Sequence, residues 1–182
     1  MKYILTILVS FAIMMTPVAE TKAQKVTDYE TAVGLRLGWG FTLSGKHFIN
    51  DAHAVEAIFN YRWTWSAYNQ TRIAAIYQVH NPLDDIIDGL TWYWGVGGLI
   101  GFENYRRFSE RSTELLVGVI GNVGLDFSFS DTPVNISVDL MPSFVIGSRP
   151  TETDVFGNRI RYGSSRGLNL DLGGVAVRYI LQ

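Results

Sequence analysis

Residues 33–43 read VGLRLGWGFTL, and every odd position in that stretch is apolar: Val33, Leu35, Leu37, Trp39, Phe41 and Leu43. The even positions are Gly34, Arg36, Gly38, Gly40 and Thr42. Successive side chains of an extended strand point to opposite faces, so this period of two separates a greasy face from one of glycine, charge and hydroxyl. A helix of the same sequence would mix the two sets around its circumference.

The period continues along the chain. From Val55 to Trp65 the odd set is Val55, Ala57, Phe59, Tyr61, Trp63 and Trp65, facing Glu56, Ile58, Asn60, Arg62 and Thr64. Further alternation gives clear strand runs at 31–49, 54–66, 71–80, 90–102, 113–128, 134–146 and 167–181. No segment beyond the N-terminal region is apolar for roughly 18 residues, and no amphipathic helical pattern lies between the runs. The runs are longer than the roughly 5–6 residues usual for a sandwich strand and match a tilted crossing of a bilayer. Trp63, Trp65, Trp92 and Trp94 sit near run ends, where an interfacial aromatic girdle would hold them.

Inside hydrocarbon every backbone polar group needs an internal partner, so a spanning sheet must close. The expected fold is all-β: a closed antiparallel transmembrane β-barrel of eight strands over residues 24–182. Even strand numbers are the rule for single-chain barrels, so one strand is hidden. A hairpin at Gly38-Trp39-Gly40, dividing 31–38 from 41–49, supplies it, although the odd parity runs unbroken through that turn. The alternative is a division at Gly173-Gly174. There the apolar parity moves from even (Leu168, Leu170, Leu172) to odd (Val175, Val177, Tyr179), which reads equally as a β-bulge. With the first hairpin, 50–53 and 130–133 become periplasmic turns, and 103–112 and 147–166 become outward-facing loops.

The N-terminal residues 1–23 read as a cleaved signal peptide. Lys2 supplies a positive start, Ile4 to Met15 an apolar run too short to span a bilayer, and Thr21-Lys22-Ala23 a small-residue cleavage site. The chain is 47% apolar and only 18% charged, with 18 glycines, which excludes a disordered protein. Fifteen Lys and Arg against 17 Asp and Glu, without a basic cluster, exclude nucleic acid as a partner. With no cysteine there is no disulfide, thiol nucleophile or thiolate metal site.

The segments VGLRLGWGFTLSGKHFIND, HAVEAIFNYRW, GLTWYWGVGGLIGF, GLDFSF followed by DTPVNISVDLMPSF, and GGVAVRYIL together resemble the small outer-membrane barrels of the OmpA/OmpX/OmpW-like superfamily. The resemblance implies residence in the bacterial outer membrane, in contact with its lipid and lipopolysaccharide, after insertion by the barrel-assembly machinery. The last strand is similar to the signal that machinery reads, at Gly174, Val177 and Tyr179, but continues to Ile180-Leu181-Gln182 instead of ending on an aromatic. Relatives of this kind act as anchors, adhesins, narrow pores and occasionally lipid enzymes.

On the non-lipid parity lie Arg36, Arg62 and Arg72 with Glu56, Glu114, Asp126 and Asp139. Unpaired charges in so narrow a lumen are expensive, so these are expected to neutralise one another and plug it. Gly95, Gly97, Gly118 and Gly124 point the other way, because they could open space beside Tyr93 for a narrow solute channel. His47, His53 and His80 have no metal-ligand spacing, and DDIID at 84–88 lacks the glycine and final glutamate of a calcium loop. Ser109 and Ser112 lie near Glu110 but without a histidine, so neither a catalytic site nor a cofactor is expected. Arg106, Arg107 and Arg111, beside Tyr105 and Phe108, form either a solvated charged loop or a contact for lipopolysaccharide phosphates or a host surface. Segment 147–166, with Arg149, Arg159, Arg161 and Arg166 beside Glu152 and Asp154, is the longest connection and the expected place for a family-specific function. The expected function is non-enzymatic, structural or surface-interacting, with a narrow channel as the alternative and a lipid-modifying enzyme as a distant one.

Overall fold

A computed structural model describes residues 29–64, 68–107, 110–147, 151–153, 159–161 and 166–181. The expected signal peptide and Trp65 lie outside the described residues. The strands are β1 (Thr31–Gly38), β2 (Gly40–Phe48), β3 (His53–Thr64), β4 (Tyr68–Pro82), β5 (Leu90–Arg107) and β6 (Glu110–Ser128). They continue with β7 (Val134–Leu140), β8 (Ser143–Gly147), β9 (Thr151–Thr153), β10 (Arg159–Arg161), β11 (Gly167–Asn169) and β12 (Gly174–Leu181).

From β1 to β6 each strand pairs antiparallel with the next. One edge of β6 takes β7 along its lower half and β8 along its upper half, in a single register. These two are one stave interrupted at Met141-Pro142. Their far edge takes β12 and β11, which form a second interrupted stave. β12 then pairs with β1 from Thr31 opposite Leu181 to Leu37 opposite Val175, and the ring is closed with eight staves. β9 and β10 form a separate small hairpin.

The hairpin that sequence parity argued against is present. Leu35 faces Leu43, Leu37 faces Phe41 and Gly38 faces Gly40, so odd positions oppose odd ones. Directly opposed residues share a face of the sheet, and a turn centred on Trp39 therefore leaves the parity intact. Gly40 has φ of 97°, a conformation that glycine adopts without the Cβ penalty. The parity shift near Gly173 is the bulge. From Gly167 to Gly174 the stave advances seven residues while its partner moves six, from Val145 to Asp139.

Segment 103–112 departs from the expected loop. β5 has 18 residues and β6 has 19, and Glu103 opposite Glu114 and Arg107 opposite Glu110 continue the ladder nearly to the tip. The turns at 49–52, 83–89 and 129–133 lie at the end that carries both termini of the barrel. The other end carries the tips of β1–β2, β3–β4 and β5–β6.

Alternation decides which side chains face out. Leu35, Leu43, Phe59, Ile73, Val96, Val119, Phe144 and Val177, one from each successive stave, are all exposed on the outer wall. Inside, Ile58, Ala74, Ile76, Leu99, Leu116, Ile120, Met141, Val145 and Leu172 pack into a buried apolar layer across the barrel. A smaller cluster of Tyr29, Ala32, Phe48 and Ala54, with Ile180 against it, fills the terminal end.

The inward glycines do not open the lumen. A Cβ on Gly95 would lie 2.5 Å from the carbonyl oxygen of Tyr77, on Gly97 2.0 Å from that of Ala75, on Gly118 2.7 Å from that of Phe144, and on Gly124 2.5 Å from that of Val138. The neighbouring backbone already occupies the space. Gly97→Ala should therefore destabilise the barrel by about 1–3 kcal/mol through overpacking. Gly98→Ala, whose Cβ would meet nothing nearer than 3.8 Å, should change stability by less than about 0.5 kcal/mol. Urea unfolding followed by tryptophan fluorescence separates the two, and equal effects would contradict the close wall packing.

Candidate functional site

Between the apolar layer and the terminal end, inward positions of most staves converge on one charged cluster. Arg36 comes from β1, Ser44 and Lys46 from β2, Glu56 from β3, Tyr93 from β5, Asp126 from β6, Asp139 from β7 and Arg178 from β12. All of these are buried. Glu56 Oε1 accepts hydrogen bonds from Arg36 Nη2 at 2.7 Å, Arg178 Nη2 at 2.5 Å and Ser44 Oγ at 2.6 Å, and Oε2 accepts one from Gln78 Nε2 at 2.6 Å. Asp139 takes Arg36 Nη1 at 2.5 Å and the Tyr93 hydroxyl at 2.7 Å. Asp126 accepts from the Tyr29 hydroxyl at 3.0 Å and lies 3.5 Å from Lys46 Nζ, which sits 4.4 Å from the Tyr93 ring centroid. Arg178 also donates to Ser44, Asn135 and Ser137 at 2.8, 3.1 and 2.8 Å. Three cations thus meet three carboxylates where water has little access. His80 stacks on the Tyr93 ring at 4.7 Å between centroids, and Phe48 lies tilted against His80 at 4.8 Å.

A second polar layer lies on the far side of the apolar one, in the mouth opposite the termini. Arg72 Nη1 donates to Asp171 at 2.7 Å, and Arg62 Nη1 lies 3.6 Å from the other oxygen of the same carboxylate. Gln70 donates to Glu103 at 2.6 Å, and Arg166 pairs with Glu114.

The seven lumen charges read from parity therefore occupy two levels. Arg36, Glu56, Asp126 and Asp139 join the central cluster, whereas Arg72 and Glu114 belong to the mouth with partners of their own. Arg62 stands at the rim with its side chain 34% exposed, where it shares Asp171 with Arg72, so it lies outside the central cluster. Lys46 and Arg178, missed from sequence, both sit at even positions of odd-apolar runs, and the parity rule applied to the first and last runs would have found them. Asp171 falls inside the bulge, where parity cannot say which way a side chain points.

Among the girdle tryptophans, Trp63 and Trp92 are exposed and Trp94 is half-buried on the outer wall. Val177 and Tyr179 of the β12 motif face outward, and Gly174 begins that strand against the carbonyl of Leu37. His47 bonds Thr31 at 2.9 Å, His53 bonds Tyr77, and His80 is buried in the lumen. Ser112, Arg106, Arg107 and Arg111 lie on the β5–β6 ladder, Arg159 and Arg161 on β10, and Ser109 and Arg149 outside the described residues. Asp84, Asp85 and Asp88 stand in the exposed turn between β4 and β5. Among the described residues no group of three or more His, Asp or Glu side chains is arranged to hold a metal ion. Compared with protein-family models and with curated proteins, the chain matches none.

Removing one partner from the central cluster strands a buried charge, which costs about 3–5 kcal/mol. Arg178→Gln and Glu56→Gln should each destabilise on that scale. The double variant should lose clearly less than the sum, because the two share one interaction. Arg62→Gln should cost less than about 1 kcal/mol, as exposed pairs do. Urea titration of the four proteins measures this, and additive losses for Arg178 and Glu56 would remove the coupling.

Proposed function

We propose that this chain is an integral protein of the bacterial outer membrane, of the OmpA/OmpX/OmpW-like kind, with a non-enzymatic structural or surface-interaction role. The observation that carries this reading is the division of the closed wall. An apolar belt covers its outside, and its interior is filled by a hydrophobic layer held between two layers of paired charge. Such a belt on a water-exposed protein would be an aggregation hazard, and in hydrocarbon it is the required surface.

In this reading residues 1–23 direct export, the β12 motif serves the barrel-assembly machinery, and the end with the termini faces the periplasm. Exposed Asp51, Asp84, Asp85, Asp88 and Asp131 mark that end. The arginine-bearing end then faces lipopolysaccharide. The filled lumen supports a sealed barrel over the narrow-channel alternative, because the apolar layer offers a passing ion no replacement for its hydration shell.

Two measurements test the reading. Purified barrel in a planar bilayer should give at most rare, small conductance steps, and steady conductance of porin size would move the channel to first place. Phe59→Arg, on the outer wall, should cost about 2–4 kcal/mol in lipid vesicles if that position lies near the midplane. A variant as stable as the wild-type barrel in vesicles would take that face out of the membrane.

A further inference from the structure

β1 and β2, at 8 and 9 residues, are the shortest staves, and their turn at Trp39 falls well short of the tips of β5 and β6. On one side of that turn β3 runs on past its last pair with β2, Phe41 opposite Tyr61, to Thr64. On the other, the stave of β12 and β11 continues past its last pair with β1, Leu37 opposite Val175, up to Gly167. The wall is therefore notched above Trp39. Arg62 of β3 and Asp171 of the bulge meet across the notch at 3.6 Å.

Behind this bar lies Arg72, 1% exposed. Its Nη1 is held by Asp171, but its Nε and Nη2 have no hydrogen-bond partner among the described residues. Those two N–H groups form one edge of the guanidinium plane, the fork that grips two oxygens of a carboxylate or phosphate at once. Two guanidinium groups thus share one carboxylate, while Glu103 is bonded by Gln70 and Glu114 by Arg166. The surroundings of the notch are those of a lipid interface. Trp39 at its sill is 68% exposed with the Arg62 guanidinium 5.8 Å from its ring centroid, and Leu37, Leu168 and Leu170 are exposed on the outer wall beside it.

We propose that the notch is a side-entry site for the phosphate of a lipid headgroup, gripped by the free edge of Arg72 with Arg62 as the second cation. The phosphate draws Arg62 away from its long contact with Asp171, and the acyl chains lie on the apolar wall below. This assignment rests on the reading of the barrel as membrane-embedded.

The test uses the full chain folded in a phosphate-free maltoside detergent, titrated calorimetrically with dihexanoyl phosphatidic acid, dihexanoylglycerol and inorganic phosphate. Phosphatidic acid should bind about tenfold more tightly than either of the others, since each supplies only half of the recognised chemistry. Arg72→Gln and Arg62→Gln should each weaken it about fivefold or more, and Glu30→Gln at the far end should not. Mobility of unheated samples on gels reports folding, and if Arg72→Gln does not fold, the half-buried Arg62 at the rim carries the test. Binding that ignores both arginines, or no binding, overturns the site. Equal affinity for inorganic phosphate overturns lipid as the source. Flotation of the wild-type chain with phosphatidylcholine vesicles is read separately, and failure to insert there refutes the membrane reading instead.

Discussion

Glu56 joins the two ends of the barrel from the inside. Its carboxylate is shared by Arg36 of the first strand and Arg178 of the last, which are neighbours only because the ring has closed. Ser44 and Gln78 complete its coordination from the strands on either side of β3. One side chain therefore ties β1, β2, β3, β4 and β12 together, across a sequence separation of 122 residues in the case of Arg178. An eight-stranded ring is just wide enough for side chains to fill it, so a charge placed inside must find its counter-charge inside. Asp139 and Asp126 meet that requirement for the remaining guanidinium and ammonium groups. The lumen is ordered by this need for neutrality as much as by shape.

The same narrowness explains the layering. Along β3 the inward residues run Ala54, Glu56, Ile58, Asn60 and Arg62, and along β4 in the reverse sense Arg72, Ala74, Ile76, Gln78 and His80. Polar and apolar residues alternate by level, so the charges are separated into two compartments with hydrocarbon between them. Ions crossing such a layer would have to shed water without gaining ligands, which makes it a better seal than salt bridges alone. Inward glycines serve the packing, because they let the neighbouring backbone lie close where a Cβ would collide.

How much of this was legible in the sequence depended on the regularity of the strand. Where the period of two is unbroken, as through Val33–Leu43 or Val55–Trp63, it identifies the outward face and even accommodates the Trp39 hairpin, whose odd-on-odd register keeps the parity. The closed architecture followed from the length of the runs and the chemistry of backbone groups in hydrocarbon. Partner choice within the lumen did not. Arg72 and Glu114 share a parity with Arg36 and Glu56, but height along a tilted strand, not parity, decides which charges meet. The bulge near Gly173 hides the orientation of Asp171, and with it the link between Arg62 and Arg72. The extension of β5 to Arg107 and of β6 from Glu110 was hidden by a charged composition that reads as loop.

A lumen filled by side chains excludes water-soluble reagents, and a sequence without cysteine lets single cysteines report this. Single cysteines at Ala74 and Ala176, both inward and buried, and at Asp131 in an exposed turn can be exposed to a bulky, water-soluble maleimide in the folded barrel. Asp131→Cys should label rapidly, and Ala74→Cys and Ala176→Cys should not label until the protein is denatured. Labelling of Ala74→Cys in the folded barrel at the rate of Asp131→Cys would mean that water fills the space assigned here to side chains.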